Sequence, residues 1–232
     1  MLTVARAANK NEVEDALAYL PRKGVVEYRR GQMIYDRDRP SGAIHLVVSG
    51  RVKVSVPGED GTPIVLDVYS ADQMFGECGF LGRLGYDERA EALERCTLMS
   101  WSTTEVEEQI QNQPKLGIAL IQVLVERCVD SEERLQSLAL DKTPERIARG
   151  LLRFAERAGA REEDGTIRIP PMTHQLLSEY AGTSREIVTF QMNHFRDKGL
   201  LRYSRKAINI YVEALRDFAE KPSRGVSHHG LA

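Results

Sequence analysis

The sequence predicts an α+β chain: an antiparallel β-roll of jelly-roll type, then one long helix, then a winged helix-turn-helix. Three observations point there. Between about 24 and 103, short runs rich in β-branched and aromatic residues alternate with glycine turns. From 115 to 141, apolar residues recur at alternating spacings of four and three. From 173 to 199, two helical stretches flank a glycine turn, and the second carries a polar outer face.

The elements follow in order. Residues 11–20 read as a short helix that stops at Pro21. The strands are VVEY (25–28), QMIY (32–35), AIHLVVS (43–49), RVKVSVP (51–57), TPIVLDVY (62–69) and CTLMSWS (96–102). VKVSV alternates apolar and polar with period two, as a half-buried strand does. Gly50 and Glu59-Asp60-Gly61 mark hairpin turns. Close-spaced strands without helices between them argue for an antiparallel roll or sandwich. Helix resumes at about 104, where Thr104 and Glu107 fit a capping box.

After Pro114, the residues Gly117, Ile121, Leu124, Cys128, Ser131, Leu135 and Leu138 form an a/d seam over about three heptads. That is the pattern of a two-stranded coiled coil. A helix of this length spans on the order of 40 Å, and its narrow stripe predicts self-association. Thr143 is expected to cap the next helix, with Pro144 at its first position and Gly159 at its end. TIRI (166–169) is a small strand, and LLRYSRKAINIYV (200–212) reads as a two-stranded wing. The expected domains are a sensory roll (1–114), a dimerisation helix and hinge (115–143), a winged helix-turn-helix (144–221) and a tail without fixed structure (222–232).

Composition narrows the classes. The chain has 232 residues, 42% hydrophobic and 28% charged, ordinary for a globular protein. The net charge is −2, but it divides unevenly: residues 144–232 hold 15 Lys+Arg against 11 Asp+Glu. An acidic N-terminal part joined to a basic C-terminal one suits a sensory or catalytic domain attached to a nucleic-acid domain. The first residues lack a continuous apolar core, so no secretory leader is expected, and no apolar run is long enough for a transmembrane helix. Three cysteines, Cys78, Cys96 and Cys128, make no disulfide framework and fit the cytoplasm.

Function concentrates in THQLLSEYAGTSREIVTFQMNHFRDKG (173–199). Thr173 can cap a first helix, Ala181-Gly182 makes the turn, and Thr183 with Glu186 caps the second. On the second helix Val188, Met192 and Phe195 form the buried stripe. Arg185, Glu186, Thr189, Phe190 and Asn193 are the candidate base readers. A helix so presented enters the major groove with its first residues at base edges. Arginine can donate twice to guanine, and glutamate can accept from cytosine N4. Phosphate contacts are expected from Thr173, His174, Gln175, Ser184, Arg202, Arg205 and Lys206.

With these motifs in place, the chain resembles the CRP/FNR family of bacterial transcription regulators, over about residues 15–219. The resemblance rests on GRVKV (50–54), FGECGF (75–80), PERIA (144–148) and GTSREIV (182–188), in that order. It implies a cyclic-nucleotide-binding-like roll, and a homodimer on a palindromic double-stranded DNA operator. It also implies RNA polymerase as a partner and no catalytic residues. Arg185 and Glu186 match the family's base-reading pair; a further arginine of many members is Phe190 here, which can touch a thymine methyl.

The resemblance places an effector site at Gly76, Glu77, Cys78, Tyr86, Asp87, Arg89, Ser131 and Glu132. Gly76-Glu77 match the first half of the nucleotide cassette. Where Arg-Ser-Ala should follow, one register gives Arg89-Ala90-Glu91. The other, which runs on without gaps, gives Tyr86-Asp87-Glu88. Classical cyclic AMP binding is therefore not expected, and the effector, a small molecule or nucleotide, stays open, as does control without one. Residues 1–77 hold no cysteine for an iron–sulfur cluster, and His45, on a strand, reads as a satisfied core or surface residue rather than a ligand. No metal site is expected. Two other classes stay in view: a cyclic-nucleotide-type module serving a partner protein, and a cupin-type metalloenzyme, which would need clustered histidines and carboxylates.

Overall fold

The computed structural model describes residues 14–59, 61–81 and 87–220. Tyr86, Asp60, the start of the expected first helix and the expected tail lie outside them. The chain divides into two compact units between Arg134 and Leu135, inside the long helix and upstream of the expected hinge at 141–143.

In the first unit, a 3₁₀ turn at Ala16–Ala18 precedes eight strands among the described residues. They are β1 (Val25–Tyr28), β2 (Met33–Tyr35), β3 (Ala43–Ser49), β4 (Val52–Pro57), β5 (Pro63–Tyr69), β6 (Met74–Phe75), β7 (Arg89–Ala92) and β8 (Cys96–Ser102). They pair antiparallel in two four-stranded sheets, β1-β8-β3-β6 and β2-β7-β4-β5. The inner faces meet in one core, with Val47, Phe75 and Leu98 from the first sheet and Val52, Val54 and Ala90 from the second. The outer face of the first sheet is covered as well: Ile44, Leu46 and Trp101 pack with Val106, Leu116 and Ala119. With both faces of β3 covered from Ile44 to Val47, AIHLVVS is a nearly continuous apolar run. VKVSV lies as its alternation predicts for the valines, with Val52 and Val54 buried.

Helix α1 (Thr103–Asn112) leads into α2 (Lys115–Leu140). The cap of α1 is Ser102 with Glu105 as reciprocal partner, not Thr104 with Glu107. Strand β8 runs directly into the helix, which moves the first turn two residues earlier. Gly117 faces Ile110 of α1, where an added Cβ would be 3.4 Å from Cγ2, so it stands apart from the exposed stripe of α2.

The second unit contains the end of α2, then α3 (Thr143–Ala158), β9 (Ala160–Arg161), β10 (Ile167–Ile169), α4 (His174–Ala181), α5 (Arg185–Asp197), β11 (Leu201–Tyr203), β12 (Ile208–Ile210) and α6 (Val212–Glu220). The strands form one antiparallel sheet, β11-β12-β10-β9. Thr143 is the first residue of α3 rather than its cap; Lys142 holds that place, with no side-chain bond, and Pro144 falls in the first turn. Ile147, Leu151 and Phe154 of α3, Val188, Met192 and Phe195 of α5, and Leu215 of α6 are buried. Phe195 meets Phe218 edge-on at 5.2 Å. Among the described residues, no helix is long and apolar enough to cross a membrane.

Candidate nucleic-acid interface and effector site

The helix-turn-helix is built by two caps and one glycine. Thr173 accepts from the Leu176 N–H at 3.0 Å and starts α4. Gly182 ends it in the left-handed region, at φ 62° and ψ 52°, a conformation that costs any other residue. The next N–H, from Thr183, returns to the Ser178 carbonyl at 3.1 Å. That bond occupies the backbone of Thr183, and Ser184 caps α5 in its place by accepting from the Ile187 N–H at 3.3 Å. The expected Thr183–Glu186 box is thus absent. Glu186 lies in the first turn, its carboxyl held below the usual range by the backbone N–H of its own residue, the Ser184 side chain and the Arg185 charge.

The face of α5 opposite Val188 and Met192 presents Arg185, Glu186 and Phe190 to solvent, with Phe190 67% exposed. Two expected readers are engaged inside the unit. The Thr189 hydroxyl donates to the Arg185 carbonyl at 2.9 Å and meets His174 Nδ1 at 2.8 Å. A hydroxyl has one proton, so the ring donates and His174 carries its hydrogen on Nδ1. Burial, and then Arg185, lower the His174 pKa. Asn193 Oδ1 accepts from the Tyr203 hydroxyl at 2.9 Å, and Tyr203 also meets the His174 ring edge-on at 6.0 Å. The first residue of α4 and an aromatic of β11 thus hold α5 from two sides.

The expected phosphate contacts divide in the same way. Thr173, Gln175 and Ser184 are exposed near the helix starts. Arg205 and Lys206 are exposed in the β11–β12 turn. Arg202 lies within β11 rather than at the wing tip; it pairs with Asp164 and stands over the Tyr211 ring at 5.6 Å.

In the roll, Gly76 has φ 93°, and an added Cβ would stand 2.7 Å from the Ala43 carbonyl oxygen, so the GE turn admits only glycine. Glu77 does not face open solvent. Arg127 of α2 pairs with it at 2.5 Å, donates to the Met74 carbonyl, and lies over the Tyr69 ring at 5.1 Å. Two turns on, Arg134 donates to the Val65 and Leu66 carbonyls, both at 2.6 Å.

Beside this pair, Glu88 accepts from the Tyr35 hydroxyl at 2.5 Å and from the Cys78 thiol at 3.6 Å. Burial pushes the Glu88 carboxyl up, opposed in part by those bonds. Burial, and then Glu88, push the Cys78 thiol up to about 12, the opposite of a reactive thiolate. Asp87 meets Arg37 at 3.4 Å. Arg89 is exposed at the start of β7, and Ser131 and Glu132 are exposed on α2. His45 is a core residue: Ser41 and Ser100 hydroxyls meet its two ring nitrogens at 2.7 Å, and its ring stacks on Phe75. Arg127, Glu88 and Tyr35 escaped the motif reading, because long-range pairing leaves no local signature. Only the position of Arg127 off the seam hinted that it turns toward the roll.

The seam residues Ile121, Leu124, Leu135 and Leu138 are 41–67% exposed, and Cys128 and Ser131 are exposed too. Ile118, Val125 and Val129 widen the stripe. Among the described residues, no three histidine, cysteine or acidic side chains gather as a metal site.

Comparison with known proteins agrees with both halves of this geometry. The cyclic nucleotide-binding domain family matches residues 25–113. The Crp-like helix-turn-helix domain family matches residues 145–218. A CRP-like cAMP-activated global transcriptional regulator of Mycobacterium tuberculosis is 26% identical, covering 80% of this chain and 83% of that one. A global nitrogen regulator of Synechococcus elongatus is 24% identical, covering 81% and 85%. Among solved structures, FixK2 from Bradyrhizobium japonicum aligns with a TM-score of 0.73 at 19% identity, over 84% of this chain and 96% of that one. A CRP/FNR-family regulator from Thermus thermophilus aligns at 0.67 and 24% identity, over 85% and 99%. With a nucleotide-binding-type roll, a Crp-like helix-turn-helix and relatives matching across both, the chain belongs to the CRP/FNR family of DNA-binding transcription regulators.

Proposed function

We propose that the chain acts as a homodimer on a two-fold-related DNA site, joined through the apolar stripe of α2. The observation that carries this is the stripe itself: a long row of leucine, isoleucine and valine exposed along one helix. A second copy of the same helix covers such a row by knobs-into-holes packing. Half-sites then lie about one helical turn apart, ~34–36 Å. In each, Arg185 donates to guanine, Glu186 accepts from cytosine, and Phe190, Thr189 and Asn193 lie along the same face. Thr173, His174, Gln175, Ser184, Arg202, Arg205 and Lys206 line the phosphate backbone. The domains act as roll (1–114), dimer helix and hinge (115–143) and DNA-binding unit (144–221).

An effector at Gly76, Glu77, Cys78, Tyr86, Asp87, Arg89, Ser131 and Glu132 would act by favouring one arrangement of the dimer. The Glu77–Arg127 pair and the acidic Asp87-Glu88 step support a site other than a classical cyclic AMP pocket. The protein works in the cytoplasm with RNA polymerase and catalyses no reaction.

The test is a selection from random DNA with purified protein, no added ligand, at physiological salt. An enriched palindrome is expected. Sedimentation of the wild type and of Leu135→Glu adds the oligomeric state; the variant is expected to sediment as a monomer that no longer selects the palindrome. A wild type that sediments as a monomer while selecting a single half-site refutes the dimer.

A further inference from the structure

We propose that Ile187 and Phe190 form an apolar reading edge on α5, with His194 positioning the Phe190 ring. It selects the C5-methyl group of a pyrimidine, thymine in unmodified DNA, at one step of each half-site. The inference rests on α5 entering the major groove, and names what that helix reads there.

The first observation is the exposure of the edge. Phe190 is 67% exposed and Ile187 is 42% exposed. The spacing of three places them side by side on the helix surface. No core claims them: the buried stripe of α5 is Val188, Gln191, Met192 and Phe195. The second observation is order. The Phe190 ring stacks on His194, one turn on, with centroids 6.3 Å apart and planes within 7°. The stack favours this orientation of the exposed ring, which lowers the ordering cost on binding.

The third observation is what the neighbours cannot do. A bidentate contact from asparagine to adenine needs both the amide hydrogens and the carbonyl oxygen. Asn193 Oδ1 already accepts from Tyr203, so its amide is held by β11 rather than free to turn to a base, with one lone pair and the Nδ2 donor left over. The single hydroxyl proton of Thr189 goes to the Arg185 carbonyl. Beyond Arg185 and Glu186, the reading face is therefore mainly apolar. The major-groove edges of the four base pairs carry one apolar group, the C5-methyl of thymine. An ordered aromatic edge matches that group and offers nothing to the bare amine edge of cytosine. His194 is a positioning residue here: it acts through the ring it stacks on.

The test uses the full chain and the operator recovered by selection. Each thymine is replaced in turn by deoxyuridine, which removes the methyl and leaves every hydrogen-bonding group. One position per half-site is expected to weaken binding about fourfold, the worth of one buried methyl. Phe190→Ala is expected to bring the thymine-to-uracil ratio at that position to one while leaving other positions unchanged. His194→Ala should lower the ratio, and His194→Tyr should restore it, which a merely structural role would not do. A wild type that binds the operator tightly but ignores uracil everywhere overturns the inference, and so does an unchanged ratio in Phe190→Ala. A chain that enriches no operator at all overturns the groove reading as well, and the missing specific complex tells that failure apart.

Discussion

Protonating His45 should loosen the roll, and the structure sets how much. The imidazole packs beside the Tyr35 and Phe75 rings, 7% exposed, with a serine hydroxyl at each nitrogen. Burial holds its pKa down to about 4, against 6.5 in the unfolded chain. The unfolded chain therefore binds the proton first as pH falls. The contribution is complete above 6.5, drains between 6.5 and about 4, and is fully lost below. Between pH 7 and pH 5 the loss is about 2 kcal/mol, from the linkage of a single site. Trp101 reads this directly: it is the sole tryptophan, 2% exposed, and next to Ser100 on β8. Urea unfolding followed by its fluorescence at both pH values, for the wild type and for His45→Gln, isolates the term. Carboxylate titration is common to both proteins, so the wild type should lose about 2 kcal/mol more than the variant. Equal losses would refute the assignment of a neutral, buried imidazole.

Three further outcomes are expected. Arg185→Ala should weaken operator binding by ~1–3 kcal/mol and relax preference at one base pair per half-site, read by titration against singly substituted operators; a uniform loss would make it a phosphate contact. Gly182→Ala forces a Cβ into the left-handed region and should cost about 1–2 kcal/mol in the calorimetric transition of the second unit; an unchanged transition would mean that the turn relaxes freely. With its pKa near 12, Cys78 should be on the order of one part in 10,000 thiolate at pH 8. Alkylation followed by peptide mass mapping should then find it almost unlabelled, and rapid labelling there would contradict its bond to Glu88.

The strands were legible where residue type and period agree. AIHLVVS and CTLMSWS appear with the ends their composition suggests. Strands β6, β7 and β9 were not legible: MF and AR are two residues long, and RAEA carries two alanines and two charges. Their strand character comes from partners on neighbouring strands, a tertiary effect that outweighs propensity. Helix starts shifted by one or two residues: β8 runs straight into α1, Lys142 rather than Thr143 precedes α3, and two neighbouring hydroxyl residues compete for the cap of α5. Ser184 prevails over Thr183, whose N–H closes the turn after Gly182. The exposed face of α5 was legible from the burial period of Val188, Met192 and Phe195. The use of each side chain on that face was not. Whether Thr189 or Asn193 is free to read a base depends on His174 and Tyr203, which a sequence pattern does not bring together.

The arginine that reaches Glu77 also makes the roll its own competitor. Arg127 is held by the same folded unit as the carboxylate it pairs with, so the pair re-forms without a partner having to diffuse in. A ligand that approaches Glu77 with neutral hydroxyl groups must first displace this guanidinium and leave its charge partly buried. Its measured affinity is lowered by the fraction of time the pair is open. A molecule that brings its own cation to Glu77, or that binds with the pair intact, escapes this exchange.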